Sequence, residues 1–507
     1  MGDSWKYQLP PTQQAIRDKC FHPSGTCVEF PKEEIEQSIP ERFEKIVRLY
    51  PDRIAVKTPH QIVTYTELNA MANRLARAIL AQQGNKPEPV GLLFENGATL
   101  IASILAVLKA SKYFVLLDPT FPRERIADVL EDSQASLVAS DQQNILLATE
   151  LANSRCRLVK FEPNDCSISA EDLQIRIAPE APAYITYTSG STGQPKGVVQ
   201  NHRGRLHHAM LFTNAYHICA HDRLGLLTSG TASAIANLFF AILNGAALLP
   251  FEVRTEGITR LSMWLLNSRI SVCSISSPLF RKFCESLTGN ERFHDLRLVR
   301  LSSEASYKTD IDLYKKYFPD NCLLANGLAP TETGLIRTYL MDHNTEITGN
   351  DVPVGYPVED KELLLLDDEG NEVGFNQVGE IVVSSKYLSP GYWNRPDLTQ
   401  TKFKPDPDGG EKRLYYSGDL GLMLSDGCLI HKGRKDFRVK VRGYGVELAE
   451  VEKLLHDHVD IRDVVVVARQ NETGEARLVA YFTSNSRPGP STSELRIFLR
   501  QELPDYM

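Results

Sequence analysis

The chain has 507 residues, a formal net charge of −8, 42% hydrophobic residues and 24% charged residues. That is the composition of a globular protein with room for two or more domains, and its acidic balance excludes a general nucleic-acid binder, which needs clustered Lys and Arg for counterion release. The longest apolar run, Ala232–Pro250, is interrupted by Asn237, Asn244 and Gly245, so no stretch suits a membrane span, and the polar segment Met1–Cys20 lacks a signal-peptide core. Nine cysteines with no CxxC pair fit reduced thiols in a cytoplasmic protein rather than a disulfide scaffold or a zinc site.

Residues 1–30 read as a loosely ordered lead-in. A helical face then recurs at Ile39, Phe43, Ile46 and Val47 within Ile39–Leu49. Next come a helix over Tyr65–Gln82, a strand over Val90–Phe94, a helix over Ala98–Ala110 and a strand over Tyr113–Leu117. Such alternation predicts an α/β fold, with a large N-terminal domain of stacked α/β layers and largely parallel sheets, spanning 31–434. Turn signals become denser from Gly355, as in Asp367–Gly370 and Ser425–Gly427, so 355–434 is expected to be a β-rich subdomain. A small mobile α+β domain is expected over 435–507, with a helix at Leu448–His456, strands at Asp463–Ala468 and Leu478–Thr483, and a helix at Ser493–Glu502.

One segment carries most of the chemistry. YTSGSTGQPKG, Tyr187–Gly197, directly follows the strand-like Ala183–Tyr187. Glycines let backbone N–H groups approach phosphate oxygens closely, hydroxyls add donors, and Lys196 adds a point charge for a polyphosphate. It is not a Walker A loop, because Pro195 stands where that loop requires glycine.

This segment resembles the phosphate loop of the adenylate-forming superfamily, which includes acyl-CoA synthetases, aryl acid ligases and the adenylation domains of nonribosomal peptide synthetases. Further resemblances follow in order: VTYTELN at Val63–Asn69, LKASKYFVLLDPTFPRERI at Leu108–Ile126, APTET at Ala329–Thr333, GEI at Gly379–Ile381, YYSGDLG at Tyr415–Gly421 and GRKDFRVKVRGYGVELAEVE at Gly433–Glu452. The peptide-synthetase form of the second and last of these is the nearest. The resemblance implies attack of a carboxylate on the α-phosphorus of ATP with release of pyrophosphate, followed by thioester formation. It assigns Thr188, Ser189, Gly190, Ser191, Thr192, Gly193 and Lys196 to the nucleotide phosphates and Thr331 to the α-phosphate. Glu332 is assigned to Mg2+, Asp419 to the ribose, and Arg434 to a ribose or phosphate contact. Asp436 takes the hinge between the domains, and Lys440 and Gly443 the loop that would face the acceptor thiol. The implied acceptor is phosphopantetheine on a carrier-protein domain, with other synthetase domains as further partners; a free-standing acyl- or aryl-CoA ligase and a degenerate scaffold are the competing readings.

The chain departs from the family at several points. Leu503–Met507 matches the opening of the last core motif, whose lysine would lie further on, so the small domain is expected to be truncated and adenylation slow. The family's usual aspartate for a substrate ammonium falls on Ala232, with Thr231 before it. An unpaired ammonium in an apolar pocket costs several kcal/mol, so the acid is expected to lack a free α-ammonium: an α-keto, hydroxy, aryl or acyl acid. The remaining pocket positions fall on Ser233, Ala236, Ser274, Val299, Leu301, Gly327, Leu335 and Ile336, all small or apolar, which predicts a roomy uncharged cavity. Leu328 and Ala329 replace an aromatic and a glycine, and Ser302–Ser303–Glu304 replaces Gly-Gly-Glu.

Overall fold

The computed structural model describes residues 9–507 except 153–155, 162–166, 189–195, 228–231, 408, 436–437, 443, 471–475 and 487, and does not describe the side chains of Ala232, Arg438 and Gln470. Two large sheets enclose a central layer of helices. In the first sheet, seven strands run in the order Gly391–Tyr392, Lys196–Asn201, Pro182–Thr188, Tyr113–Leu117, Pro89–Leu93, Leu137–Ser140, Arg157–Lys160. In the second, nine strands run Tyr356–Pro357, Arg337–Met341, Leu323–Leu328, Leu298–Ser302, Val272–Ser276, Arg223–Leu226, Ala247–Pro250, Ile54–Lys57, Ile62–Thr64. The inner strands of both sheets are parallel and antiparallel pairs lie toward their edges, as the alternation of helices and strands predicts.

The central helices are Tyr65–Gln83, Ala98–Lys109, His202–Tyr216 and Ala232–Ile242. Ala98–Lys109 is apolar around nearly its whole circumference, and all but one of its residues are buried, because a helix sandwiched between two sheets has no solvent face. Its neighbour Tyr65–Gln83 starts at a capping box, Thr64 with Glu67, that satisfies two orphan backbone donors. One apolar core joins these helices to the inner faces of both sheets, from Val90 and Phe114 on one side to Leu298 and Leu323 on the other. Outer helices cover the far faces: Arg123–Ser133 and Ile145–Leu151 on the first sheet, Ser277–Glu285 and Lys308–Tyr317 on the second.

Residues 9–30 differ from the loose lead-in expected. They form the helix Pro11–Arg17, and Gln13 exchanges two 2.9 Å hydrogen bonds with the backbone of Leu340. Cys20 and Phe30 are buried. Periodicity could not reveal this, since the partners lie hundreds of positions away.

A five-stranded antiparallel sheet is built from Glu362–Leu366, Val378–Ser385, Phe403–Pro405, Arg413–Met423 and Leu429–Arg434. Beyond it, two hairpins, Arg438–Val441 with Tyr444–Glu447 and Ile461–Gln470 with Ala476–Ser484, pack with the helices Leu448–His456 and Thr492–Glu502 around a core of their own. This last unit docks on the helix Arg123–Ser133 through a buried 2.6 Å ion pair, Arg125 to Glu450, and through Phe121 against the stacked rings of Tyr444 and Tyr506.

Lys361 is buried, donating to the Tyr387 carbonyl at 3.2 Å, and burial together with nearby Arg205 lowers its pKa to about 7. An unfolded lysine keeps its proton up to its ordinary pKa of 10.5. Between pH 7 and 10 the unfolded state therefore binds more protons than the folded state, and stability rises with pH, by on the order of 1 kcal/mol per pH unit. Urea midpoints at pH 7, 8 and 9 are expected to climb for the wild type, and Lys361→Met is expected to flatten that climb and raise the midpoint at pH 7.

Candidate active site

The strand Pro182–Thr188 enters the phosphate loop and Lys196–Asn201 leaves it, with Thr188 and Lys196 as register partners. Ser189, Gly190, Ser191, Thr192 and Gly193 lie outside the described residues. The base of the loop is held firmly. Tyr187 donates to Asp132 at 2.7 Å, Arg395 pairs with the same carboxylate at 3.0 Å, and Trp393 donates from its ring to the Asp132 carbonyl at 3.1 Å. A Cβ on Gly197 would stand 2.6 Å from Ile185 Cγ2 and 3.2 Å from Trp393 Cβ, so only glycine fits there. The Thr188 hydroxyl is buried and has no hydrogen-bond partner among the described residues. Such an atom suits a ligand oxygen.

Thr331 and Glu332 lie in the turn between the strands Leu323–Leu328 and Arg337–Met341. Gln200 donates to the Thr331 carbonyl at 2.8 Å, and the Ser389 backbone donates to the Glu332 carbonyl at 2.8 Å. The Glu332 carboxylate is buried and accepts from the Tyr392 hydroxyl at 2.9 Å. Lys196 Nζ sits 5.1 Å from the centroid of the same Tyr392 ring. One tyrosine thus joins the loop lysine to the acidic turn. No group of three or more His, Cys, Asp or Glu that could hold a metal occurs among the described residues. Glu332 fits a divalent cation only as one hard oxygen ligand among phosphate and water oxygens.

Asp419 lies on the strand Arg413–Met423 opposite Arg434. Its carboxylate takes a 2.9 Å hydrogen bond from Arg434 Nη1 and lies 3.3 Å from His431 Nε2. Burial pushes its pKa up, but the His431 hydrogen bond and the charges of Arg434, His431 and Lys440 outweigh it and hold the carboxyl below its ordinary range. Lys440, on the hairpin strand Arg438–Val441, is therefore close enough for its charge to reach Asp419. The paired strand Tyr444–Glu447 packs against Pro182–Thr188. Asp436 and Gly443 lie outside the described residues.

The pocket positions divide by sheet face. Ser274 and Arg300 are register partners on neighbouring strands and point to the central helical layer, where Ser233 and Ala236 lie on the helix Ala232–Ile242. Gly327 approaches the Arg337 carbonyl so closely that a Cβ would stand 2.7 Å from it, and Leu335 Cδ1 lies 3.4 Å from the same point. Val299 and Leu301 do not belong with them. They pair with Cys273 and Ile275 and pack with Phe280, Phe283 and Tyr314 on the opposite face. A one-residue shift turns every side chain of a strand over, so the face assigned to Val299 and Leu301 is presented by Arg300. The expectation of an uncharged lining is corrected with it. Ile336 likewise packs away from Leu335, with Val354 and Ile381 beside the five-stranded sheet. Ser303 holds φ +70°, a conformation that costs a residue with a Cβ and explains the glycine usual there.

Tyr392, Gln200, Asp132, His431 and Arg300 escaped sequence reading. Tyr392 sits in the Gly/Pro-dense SPGYWNRP, which reads as a loop, yet its partner Glu332 is 60 positions away. Only the alternation within LVRLS, where Arg300 interrupts an apolar strand, carried a local signal.

The fold and this arrangement define a large α/β domain followed by a small C-terminal unit. Residues 43–393 match the AMP-binding enzyme family, and the chain belongs to that family of adenylate-forming ligases. Tyrocidine synthase 1 of Brevibacillus parabrevis is 31% identical over 473 residues, covering 93% of this chain and 42% of that protein. Gramicidin S synthase 1 of Brevibacillus brevis is 30% identical over 491 residues, covering 96% of this chain and 43% of that protein. The chain thus spans less than half the length of these relatives. Among solved structures, an artificially fused adenylation–PCP di-domain from Klebsiella oxytoca, NpsA-ThdA, has the same fold, with a TM-score of 0.82 at 23% identity, covering 93% of this chain and 92% of that one. The o-succinylbenzoate CoA synthetase MenE from Bacillus subtilis scores 0.80 at 21% identity, covering 92% and 93%.

Tyr392→Phe keeps the ring beside Lys196 and removes one donor from a buried carboxylate, a loss of about 1–3 kcal/mol. Its kcat/KM for ATP in pyrophosphate exchange is expected to fall about tenfold or more, with the far-UV spectrum unchanged.

Proposed function

We propose that this chain activates a carboxylic acid as its acyl-AMP and passes the acyl group to the phosphopantetheine thiol of a carrier protein. The observation that carries the reading is the meeting of Lys196 and Glu332 at Tyr392, with the Asp419–Arg434 pair supplying a ribose grip. ATP would lie with its phosphates along Thr188, Lys196 and the intervening loop, its α-phosphate at Thr331 and its ribose hydroxyls on Asp419. A carboxylate oxygen of the acid attacks the α-phosphorus and pyrophosphate departs. Positioning and charge stabilisation do most of the work in such a transfer.

Lys196 offsets charge on the phosphoryl oxygens, and the orphan hydroxyl of Thr188 gives a donor to the same group. Mg2+, held by Glu332 and phosphate oxygens, would neutralise polyphosphate charge when bound. Asp419 stays ionised across neutral pH because its partners keep its pKa low. The hairpin bearing Lys440 lies toward the site, which favours the thioester-forming arrangement, with Asp436 as the proposed pivot.

Pyrophosphate exchange with a panel of acids tests the first step. Glu332→Gln and Lys196→Ala are each expected to lower exchange by about a hundredfold or more, corresponding to roughly 2.7 kcal/mol. No nucleotide binding by calorimetry in the wild type would defeat the reading. Loading of a carrier protein, measured against acylation of free CoA, separates synthetase from CoA ligase.

A further inference from the structure

The helix Ala232–Ile242 and the strands Val272–Ser276 and Leu298–Ser302 hold a cation without a counter-charge. Arg300 is 7% exposed. It donates from Nε to the Ser274 hydroxyl at 3.2 Å and from Nη2 to the Asn237 amide oxygen at 3.4 Å, and its guanidinium lies 4.9 Å from the Phe212 ring centroid. Both acceptors are neutral, and among the described residues no carboxylate pairs with it. Burial opposes its charge and lowers its pKa, and nearby Tyr216 is neutral at ordinary pH.

A second guanidinium shares this region. Arg205 is buried, donates to the Tyr184 hydroxyl at 2.8 Å and bonds His208, and among the described residues no carboxylate pairs with it. His208 packs on Phe240, which stacks on Phe212, so aromatic rings connect the two cations. A buried guanidinium left with two neutral acceptors is costly to fold around. Ser274, which Arg300 bonds, and Ser233, one helical turn before Asn237, are only half-buried, so solvent reaches residues beside the guanidinium.

We propose that Arg300 is the specificity-determining residue for the acid and pairs with a second carboxylate, so that the substrate is a dicarboxylic acid activated at the end remote from Arg300. This rests on the adenylation reading above and on this sheet face as the acid's binding site. The family's usual counter-charge for an ammonium falls here on Ala232, and Arg300 supplies the opposite sign from the facing strand. A planar guanidinium matches a carboxylate in bidentate geometry better than any other side chain does.

The test compares matched acids in pyrophosphate exchange: succinate, glutarate, adipate and phthalate, each against its monoamide and its methyl-terminated or unsubstituted counterpart. At least one dicarboxylate is expected to exceed both counterparts by about ten- to hundredfold in kcat/KM, the range of a charge-assisted contact. Arg300→Met is expected to erase that preference while leaving the KM for ATP unchanged, and Arg300→Lys to restore part of it. Thermal shifts with each dicarboxylate and a non-hydrolysable ATP analogue, on wild type and R300M, give a readout independent of turnover. Preference for a monocarboxylate, no dicarboxylate response by either method, or an equal loss across all acids in R300M overturns the proposal. With ATP binding intact, such a failure is of this inference alone; absent ATP binding, the adenylation reading fails first.

Discussion

The structure depends on one buried carboxylate being held still. Glu332 sits in a turn of the nine-stranded sheet, yet the groups that fix it come from the other sheet and its edge: Gln200 on the carbonyl of Thr331, Ser389 on its own carbonyl, Tyr392 on its side chain. A carboxylate out of water must be paired and hydrogen-bonded or it will take up a proton. These contacts therefore set the spacing between the sheets at the site. The Asp132 network with Tyr187, Trp393 and Arg395 does the same for the phosphate loop, so the loop and the acidic turn share the segment 389–395 as a common anchor.

Rigidity around that anchor comes from the central helical layer. Two of its helices, Ala98–Lys109 and Ala232–Ile242, are apolar on nearly every side because they face a sheet in both directions, while His202–Tyr216 buries polar side chains such as Arg205 and His208 among them. Glycines appear where neighbouring strands of one sheet crowd each other. Gly197 against Ile185 and Gly327 against the Arg337 carbonyl admit no side chain, and both flank the site. The small C-terminal unit is attached differently, by one buried ion pair and a cluster of three aromatic rings, Phe121, Tyr444 and Tyr506. Glu450 in that pair has a raised pKa because burial outweighs the help of Arg125, and one of its oxygens has no partner among the described residues. Such a contact holds a position at a cost in desolvation.

Charge is distributed with a consistent sense. Lys196 and Arg434 lie near the acidic groups Glu332 and Asp419, while Arg300 and Arg205 lie in the helical layer without a paired carboxylate among the described residues. An interior with unbalanced positive charge is expensive in an empty protein and becomes favourable when anions arrive. The acidic net charge of the whole chain gave no hint of this, since it is carried by the solvated surface.

The sequence alone determined the elements and the class. Helix periods and Gly/Asp turns are local, so Ile39–Leu49, Tyr113–Leu117 and Leu448–His456 were legible to the residue, and the ordered motifs pointed to the AMP-binding family. What tertiary structure decided was everything that depends on partners distant in the chain. Gln13 tied residues 9–30 to Leu340, Tyr392 reached Glu332, and strand pairing decided that Arg300 rather than Val299 or Leu301 faces the helices. Alternation along a strand fixes which residues share a face, but only the neighbouring strand's register fixes which face that is.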